Sequence, residues 1–456
     1  MKTRVIIIIA IVAGLMQSCK LGHKYVAPAI DIPQEYSSIP GDTLSLAEYK
    51  WWEIYNDTIL QNLINRALVN NKNLLIADAR IDELAALSRQ SRADMLPVVG
   101  GSAYLQKEGL NYGGDKFKPD PELGLKLSVS WEPDIWGNLR WARDRGKANL
   151  LAGIESMRAV RMSLVAQVAT AYFELVALDN EYAIVKRTLE ARSESVRIAR
   201  LRFEGGLTSE TAFRQAEVEY ARTATYIPQL ERSIALKENE ISLLLGEYPT
   251  AIPRSAFNPD VTLPPALPVG IPSELLQRRP DVRMAEQQLI AANAEMGMAY
   301  TNRFPRLTLT GQGGLESEEF SNFLKSPMYF LSAGLLGPVL DMGRRQSAYR
   351  AKQAAYKGQC IKYEQAVLTA FNDVREAIIT FRKVEDIYES WRRLEAAARS
   401  NVDLARLQYI NGVIGYIDLL DAQRSYFDAQ IGLSNAIRNK QLSIVTLYKA
   451  LGGGWN

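Results

Sequence analysis

Ala199-Arg200-Leu201-Arg202-Phe203-Glu204-Gly205-Gly206-Leu207-Thr208-Ser209 returns 206 residues later as Ala405-Arg406-Leu407-Gln408-Tyr409-Ile410-Asn411-Gly412-Val413-Ile414-Gly415. The same offset pairs Gly137 with Gly343, Val168 with Val374, Ala171 with Ala377, Tyr220 with Tyr426 and Leu245-Gly246 with Leu451-Gly452. Upstream the offset becomes 208, pairing Leu68 with Leu276, Ala86 with Ala294 and Pro97 with Pro305, so one loop differs by two residues. A register kept over more than 100 residues marks one unit written twice. The copies are 57–247 and 272–456. Between them, 248–271 carries Pro249, Pro253, Pro259, Pro264, Pro265 and Pro268, the composition of an extended linker.

Each copy reads as a helix, a strand pair, a very long helix, a tight turn and a returning helix. The first helix is expected from about Asp57 to just before Pro97, and strand pairs over 98–131 and 306–337. Leu123, Leu125, Leu127, Val129 and Trp131 alternate with Gly124, Lys126, Ser128 and Ser130. Leu307, Leu309, Gly311, Gly313 and Leu315 alternate with Thr308, Thr310, Gln312 and Gly314, and a further run spans Tyr329 to Leu336. Strands of about 9 to 11 residues suit a tilted membrane crossing; a soluble sheet packing its apolar face on a helix has the same pattern. From Gly137 to Pro228 there is no proline, and 138–203 reads as one helix of about 100 Å. Tyr182, Val185, Leu189, Arg192, Val196, Ala199 and Phe203 form a coiled-coil seam, repeated as Val384, Tyr388, Trp391, Glu395, Ala398, Val402, Ala405 and Tyr409. The glycines of the two turns supply left-handed positions, and the residues after them the caps that reverse the chain.

The 456 residues contain 54 Lys+Arg, 51 Asp+Glu, one histidine (His23) and two cysteines. Length alone allows about two to four ordinary domains, and the near-balanced charge gives no sign of a nucleic-acid partner. With one His and two Cys, histidine clusters, CxxC pairs, Ser-His dyads and zinc sites are excluded. Of enzymatic chemistry, composition leaves only carboxylate or Tyr/Lys action, and neither a cofactor, a metal nor an enzyme is expected.

Lys2 and Arg4 precede the apolar run Val5 to Leu15 and then Met16-Gln17-Ser18-Cys19, the shape of a secretion signal too short to span a bilayer. The cysteine after it resembles a bacterial lipoprotein box: 1–18 would be a lipoprotein signal peptide and Cys19 the lipidated residue. An ordinary signal peptide with a free thiol is the alternative. Residues 19–56 then form a lipidated arm, extended over Tyr25–Pro33, with His23 a solvated tether residue. No later stretch reads as a membrane-spanning helix, so spanning falls to strands. Four strands leave two open edges, which lipid does not tolerate. The sheet must close with copies of itself; since the smallest bacterial barrels have eight strands, dimer and trimer both satisfy the geometry.

Several motifs, in order, resemble the TolC-like outer-membrane factors of tripartite efflux pumps, and their lipoprotein branch in particular. They are Trp51-Trp52 through Asn71-Lys72-Asn73-Leu74, Ser130-Trp131-Glu132-Pro133-Asp134-Ile135-Trp136-Gly137, Arg279-Pro280-Asp281-Val282-Arg283 running on to Phe304-Pro305, Leu419-Leu420-Asp421-Ala422-Gln423, and Ala450-Leu451-Gly452-Gly453-Gly454-Trp455. The resemblance implies a mainly α chain with membrane β: a homotrimer with a 12-stranded β-barrel continuing into a 12-helix α-barrel. It implies a Gram-negative outer membrane, lipid anchoring, projection into the periplasm, a periplasmic adaptor (membrane fusion protein) and an inner-membrane RND-type pump as partners. Drugs, toxic compounds or metal ions would pass passively. Export of proteins or peptides, a structural surface lipoprotein, and carboxylate chemistry on the cell wall are the competing functions.

Asp418 and Asp421 share a helix face at i and i+3. In a trimer each gives a ring of three acids that attracts cations, although acids in a first helical turn also simply suit the dipole. Ile417-Asp418-Leu419-Leu420-Asp421 resembles the family's gate, which assigns both aspartates to a periplasmic gate. Some members carry an Arg where this chain has Ile414, so a latch through that position is not carried over. Gly206, Leu207, Thr208 and Ser209, with Gly412 and Val413, resemble the tip that adaptor hairpins contact. A turn needs only the glycines; Leu207 and Val413 are what it leaves unexplained. Tyr104, Tyr112, Phe320, Phe323, Tyr329 and Phe330 form either an interfacial girdle or core contacts.

Overall fold

A computed structural model describes residues 20–31, 49–54, 57–110, 118–258, 272–337 and 340–455. The expected signal segment 1–18, the lipidation residue Cys19, Tyr112, most of the arm and linker residues 259–271 lie outside the described residues. A short helix α1 (Trp51–Ile54) precedes copy one, which runs α2 (Thr58–Asn70), α3 (Lys72–Ala93), β1 (Val98–Leu110), β2 (Lys118–Trp131), α4 (Asn138–Glu204), α5 (Glu210–Ala224) and α6 (Tyr226–Leu244). Copy two runs α7 (Pro272–Arg278), α8 (Pro280–Thr301), β3 (Arg306–Ser317), a 3-10 turn (Phe320–Lys325), β4 (Pro327–Leu336), α9 (Arg344–Ile410) and α10 (Tyr416–Ala450). The two long helices have 67 residues each.

Several local expectations are corrected. The helix before Pro97 is two helices, because Asn71 leaves the helical conformation and its side-chain oxygen accepts from the N–H groups of Asn73 and Leu74, capping α3. The first returning helix is interrupted after Ala224: Pro228 has no N–H to give to a carbonyl four residues back. Its proline-free counterpart α10 runs 35 residues unbroken. The first three strands reach 13, 14 and 12 residues, longer than expected, while β4 has the expected length at 10. One window of α4 is apolar enough to cross a membrane, with a mean hydropathy of 1.3, but 61% of it is buried within the chain. It is a core helix, as its Val165, Val168, Tyr172 and Leu175 show.

The chain divides into two compact units. One comprises 20–30, 79–154 and 284–365 and holds an antiparallel sheet in the order β1-β2-β3-β4. Its register places every odd-numbered strand residue on one face. Val99-Val129-Gly311-Leu331, Gly101-Leu127-Gly313-Tyr329 and Leu307-Leu335 are aligned rungs there. The even face carries Ser102-Lys126-Gly314 and Ser128-Gln312. On it Tyr104 Oη donates to Glu122 (2.5 Å) and Lys126 pairs with Glu316 (3.1 Å). At the strand-to-helix corner Asp134 caps α4, accepting from the Leu139 and Arg140 N–H groups, while Trp136 Nε1 donates to the Pro305 carbonyl (2.7 Å) and its ring stacks on Phe304.

The other unit comprises 49–78, 155–283 and 366–455 among the described residues. Leu60, Leu63 and Ile64 of α2 bury with Val168, Tyr172 and Leu175 of α4, Ile241 of α6 and Leu447 of α10. Asp57 caps α2 and also accepts from Tyr172 Oη (2.7 Å) and Ser255 Oγ (2.5 Å). Burial works against its ionisation, yet the bonds from Ser255, Tyr172 and two backbone N–H groups hold the carboxyl below its usual range. The Arg279-Pro280-Asp281 motif is a strut: buried Arg279 forks onto Asp281, reaches Asp373 on α9 (2.9 Å) and donates to the last α10 carbonyl, Ala450 (3.2 Å).

Candidate functional site

Two helix ends and one sheet face carry the functional features. At the first turn Gly206 has φ +71°, its N–H donating to the Phe203 carbonyl (2.9 Å) and that of Leu207 to Arg202 (2.8 Å). At the second, Gly412 has φ +76°, with the Gly412 N–H on Tyr409 (3.1 Å) and the Val413 N–H on Gln408 (2.9 Å). Both are the same paired closure of a helix C-terminus. Ser209 begins α5 without a side-chain cap bond, and the buried Thr208 hydroxyl finds no partner among the described residues, so neither supplies the expected cap. Leu207 and Val413 stand 71% and 70% exposed.

Asp418 and Asp421 are both exposed on the first turns of α10. The Asp418 carboxylate accepts the Gly415 N–H (3.0 Å), closing the helix start. Beneath them Tyr409 and Tyr416 meet edge to face at 5.7 Å within a core of Ala199, Phe213, Leu419 and Leu420. Ile414 packs against that core.

The ties between the two hairpins escaped the sequence reading. Arg202 donates to the Tyr409 and Ile410 carbonyls (3.2 and 3.1 Å), joining α4 to the C-terminus of α9. Arg424 of α10 pairs with Glu219 of α5, and so do Arg192 (3.2 Å) and Arg222 (3.1 Å). Arg192 and Glu219 are 5% and 2% exposed, a buried ion pair inside a coiled coil. Burial disfavours both charges: it lowers the Arg192 value, whereas in Glu219 the bond from Arg424 and the Arg192 and Arg222 charges prevail and hold the carboxyl low. The heptad pattern places Arg192 only in the seam; its partner on the returning helix does not show in one helix's periodicity. Gln423 also donates to Ser195 (3.0 Å), beside a cavity of roughly 530 Å³ between α4, α9 and α10.

The odd face of the sheet is the remaining feature. Leu105, Leu127 and Leu331 are 77%, 67% and 79% exposed, so no helix among the described residues covers it. A soluble sheet packing that face on a helix is thereby overturned. Of the aromatic candidates, Tyr104, bonded to Glu122, and Phe330, opposite Gln312, lie on the even face, while Tyr329 lies on the odd face and it and Phe320 are exposed.

Comparison with known proteins decides the family. The outer membrane efflux protein family model matches residues 63–247 and 271–453. The chain belongs to the outer membrane efflux protein family. It is 30% identical to the cation efflux system protein CusC of Escherichia coli O6:H1 over 97% of both chains, and 28% identical to the probable outer membrane lipoprotein SilC of Salmonella typhimurium over 98% of this chain and 97% of that one. Its fold matches the outer-membrane channel OprN with a TM-score of 0.90 at 27% identity, over 96% of this chain and all of the other. This efflux protein is therefore an outer-membrane channel with the TolC-like fold.

Proposed function

We propose that three copies close their four-stranded sheets into one 12-stranded barrel and align their hairpins into a 12-helix tube, making a passive outer-membrane exit duct. The observation that carries this is the two-faced sheet: an apolar face left bare by its own chain, a polar face opposite, and free edges on β1 and β4. In lipid the bare face is favourable and the edges are not, so closure with copies satisfies both demands. An RND-type inner-membrane pump would deliver cations, drugs or other small toxic compounds through a periplasmic adaptor. The names of CusC and of an antibiotic efflux protein of Pseudomonas putida support that range.

In this reading 57–247 and 272–456 are the two copies, 248–271 the linker, and 19–56 a lipidated arm anchored at Cys19 after loss of 1–18. Lys20 supports the anchor. Its ammonium lies 3.1 Å over the Trp141 ring and pairs with Asp144, while Trp141 Nε1 donates to the Leu21 carbonyl (2.7 Å), which holds the start of the arm at the strand-to-helix corner. Asp418 and Asp421 form acid rings that gate the tube, and Gly206, Leu207, Thr208, Ser209, Gly412 and Val413 meet the adaptor. Outer-membrane fractions should contain a heat-resistant trimer that conducts ions in planar bilayers; a monomer without conductance overturns the duct.

A further inference from the structure

Arginines and lysines crowd the starts of both long helices, where the helix dipole disfavours them. The first ten residues of α4 hold four cations and one acid, against eight and seven in the rest of it; in α9 the counts are four and none, against nine and eight. The two copies reach this excess with different residues, since Arg145, Lys147, Arg344 and Arg350 all stand opposite uncharged or unlike positions at the 206 offset. Some of the charge is internally used: Arg140 pairs with Asp134, Arg143 with Asp144 and Lys352 with Glu295. Arg145, Lys147, Arg344 and Arg350 have no carboxylate partner among the described residues. Just ahead of α9, Leu340 is 81% exposed, and Met342 is 93% exposed on a backbone held at φ +50°, which a side-chain-bearing residue rarely adopts. Asp341 holds that turn by accepting from the Gly343 N–H (3.1 Å) and the Arg345 N–H (3.2 Å), which leaves the Met342 side chain pointing outward with no packing of its own. The two long helices start seven and eight residues after β2 and β4 end, so these groups follow the strands along the chain, Leu340 by 4 residues and Lys147 by 16.

We propose that this rim is a seat for anionic phospholipid headgroups of the periplasmic leaflet. Leu340 and Met342 enter the acyl boundary, while Arg145, Lys147, Arg344 and Arg350 neutralise phosphates. Arginine and lysine at a bilayer edge gain from negative lipid, and exposed apolar side chains beside them add the burial that a soluble anion cannot offer. The seat rests on the sheet being a membrane wall.

The test offers the full-length protein, purified as its trimer, equal phosphatidylglycerol and phosphatidylethanolamine and reads retained lipid by native mass spectrometry. Several-fold preference for phosphatidylglycerol is expected, falling about tenfold in an Arg145→Gln, Lys147→Gln, Arg344→Gln, Arg350→Gln variant and weakening in high salt. The pair Arg344→Gln, Arg350→Gln, with an intermediate loss, serves if the fourfold variant does not fold. Equal retention of both lipids, an unchanged variant, or full displacement by millimolar inorganic phosphate overturns the seat. Failure of the wild type to form any trimer overturns the wall and the seat together, whereas a trimer without lipid preference overturns the seat alone.

Discussion

Glu219 shows how much a single buried group decides near the tip. Its carboxylate accepts three arginines from three places: Arg192 on α4, Arg222 on its own helix and Arg424 on α10. Glu219→Gln strands the buried Arg192 charge and should cost about 3 to 5 kcal/mol, whereas Arg424→Gln, at a half-exposed group, should cost about 1 kcal/mol or less. Chemical denaturation of the purified protein checks the contrast. Because the Glu219 value is depressed in the folded chain, its contribution is present above the unfolded glutamate value of about 4.3 and is lost as pH falls through the lower folded value. A thermal midpoint that drops in acid less for Glu219→Gln than for the wild type is the expected sign. Asp418 and Asp421 ask a different question. Asp418→Asn with Asp421→Asn keeps a side-chain oxygen for the Gly415 N–H, so the helix start survives while the charge of the proposed gate is removed. Reduced cation selectivity in bilayer recordings is expected, and unchanged selectivity would sink the gate assignment.

The long helices, the four strands and both turns were legible in the sequence, because each rests on a local rule repeated in two copies. What was not legible depended on partners distant in the chain. Asn71 stops a helix by capping the next, a choice that ordinary helical periodicity across 58–93 hides. The Arg192–Glu219 pair joins a seam position to the returning helix, and each looks like one more polar residue in its own helix. Glycine separates the two kinds of turn. A Cβ on Gly206 would meet nothing, so Gly206→Ala pays only for its left-handed backbone, about 1 to 2 kcal/mol. A Cβ on Gly246, at φ +72°, would lie 2.3 Å from the Asn70 carbonyl oxygen, backbone that cannot step aside. Gly246→Ala should cost clearly more, read as a larger fall in thermal midpoint. Leu207→Asp leaves the turn closure intact, since that uses only backbone, and should abolish cross-linking to the adaptor with the trimer unchanged; retained cross-linking would remove Leu207 from the contact.

At the scale of the molecule, the sheet decides whether the chain is a duct, and its two faces make opposite demands on the same substitution. Leu127 lies on the odd face between Gly101 and Gly313, 67% exposed in the single chain. Gln312 lies on the even face beside Ser128. If the odd face meets lipid, an arginine at 127 brings a charge to hydrocarbon at about 2 to 4 kcal/mol per copy near the midplane, a cost met three times in a trimer. An arginine at 312 faces the lumen, where water solvates it, and changes the field along the passage instead. Leu127→Arg should therefore deplete the heat-resistant trimer in outer-membrane fractions, while Gln312→Arg should leave its amount near wild type and lower cation conductance. Equal depletion by both would mean that the faces do not see different solvents, and a barrel wall could not be built from this sheet. Depletion by Gln312→Arg alone would reverse the sheet, placing lipid against Lys126 and Glu316, which are ion-paired to each other at 3.1 Å and would have to be carried into hydrocarbon together.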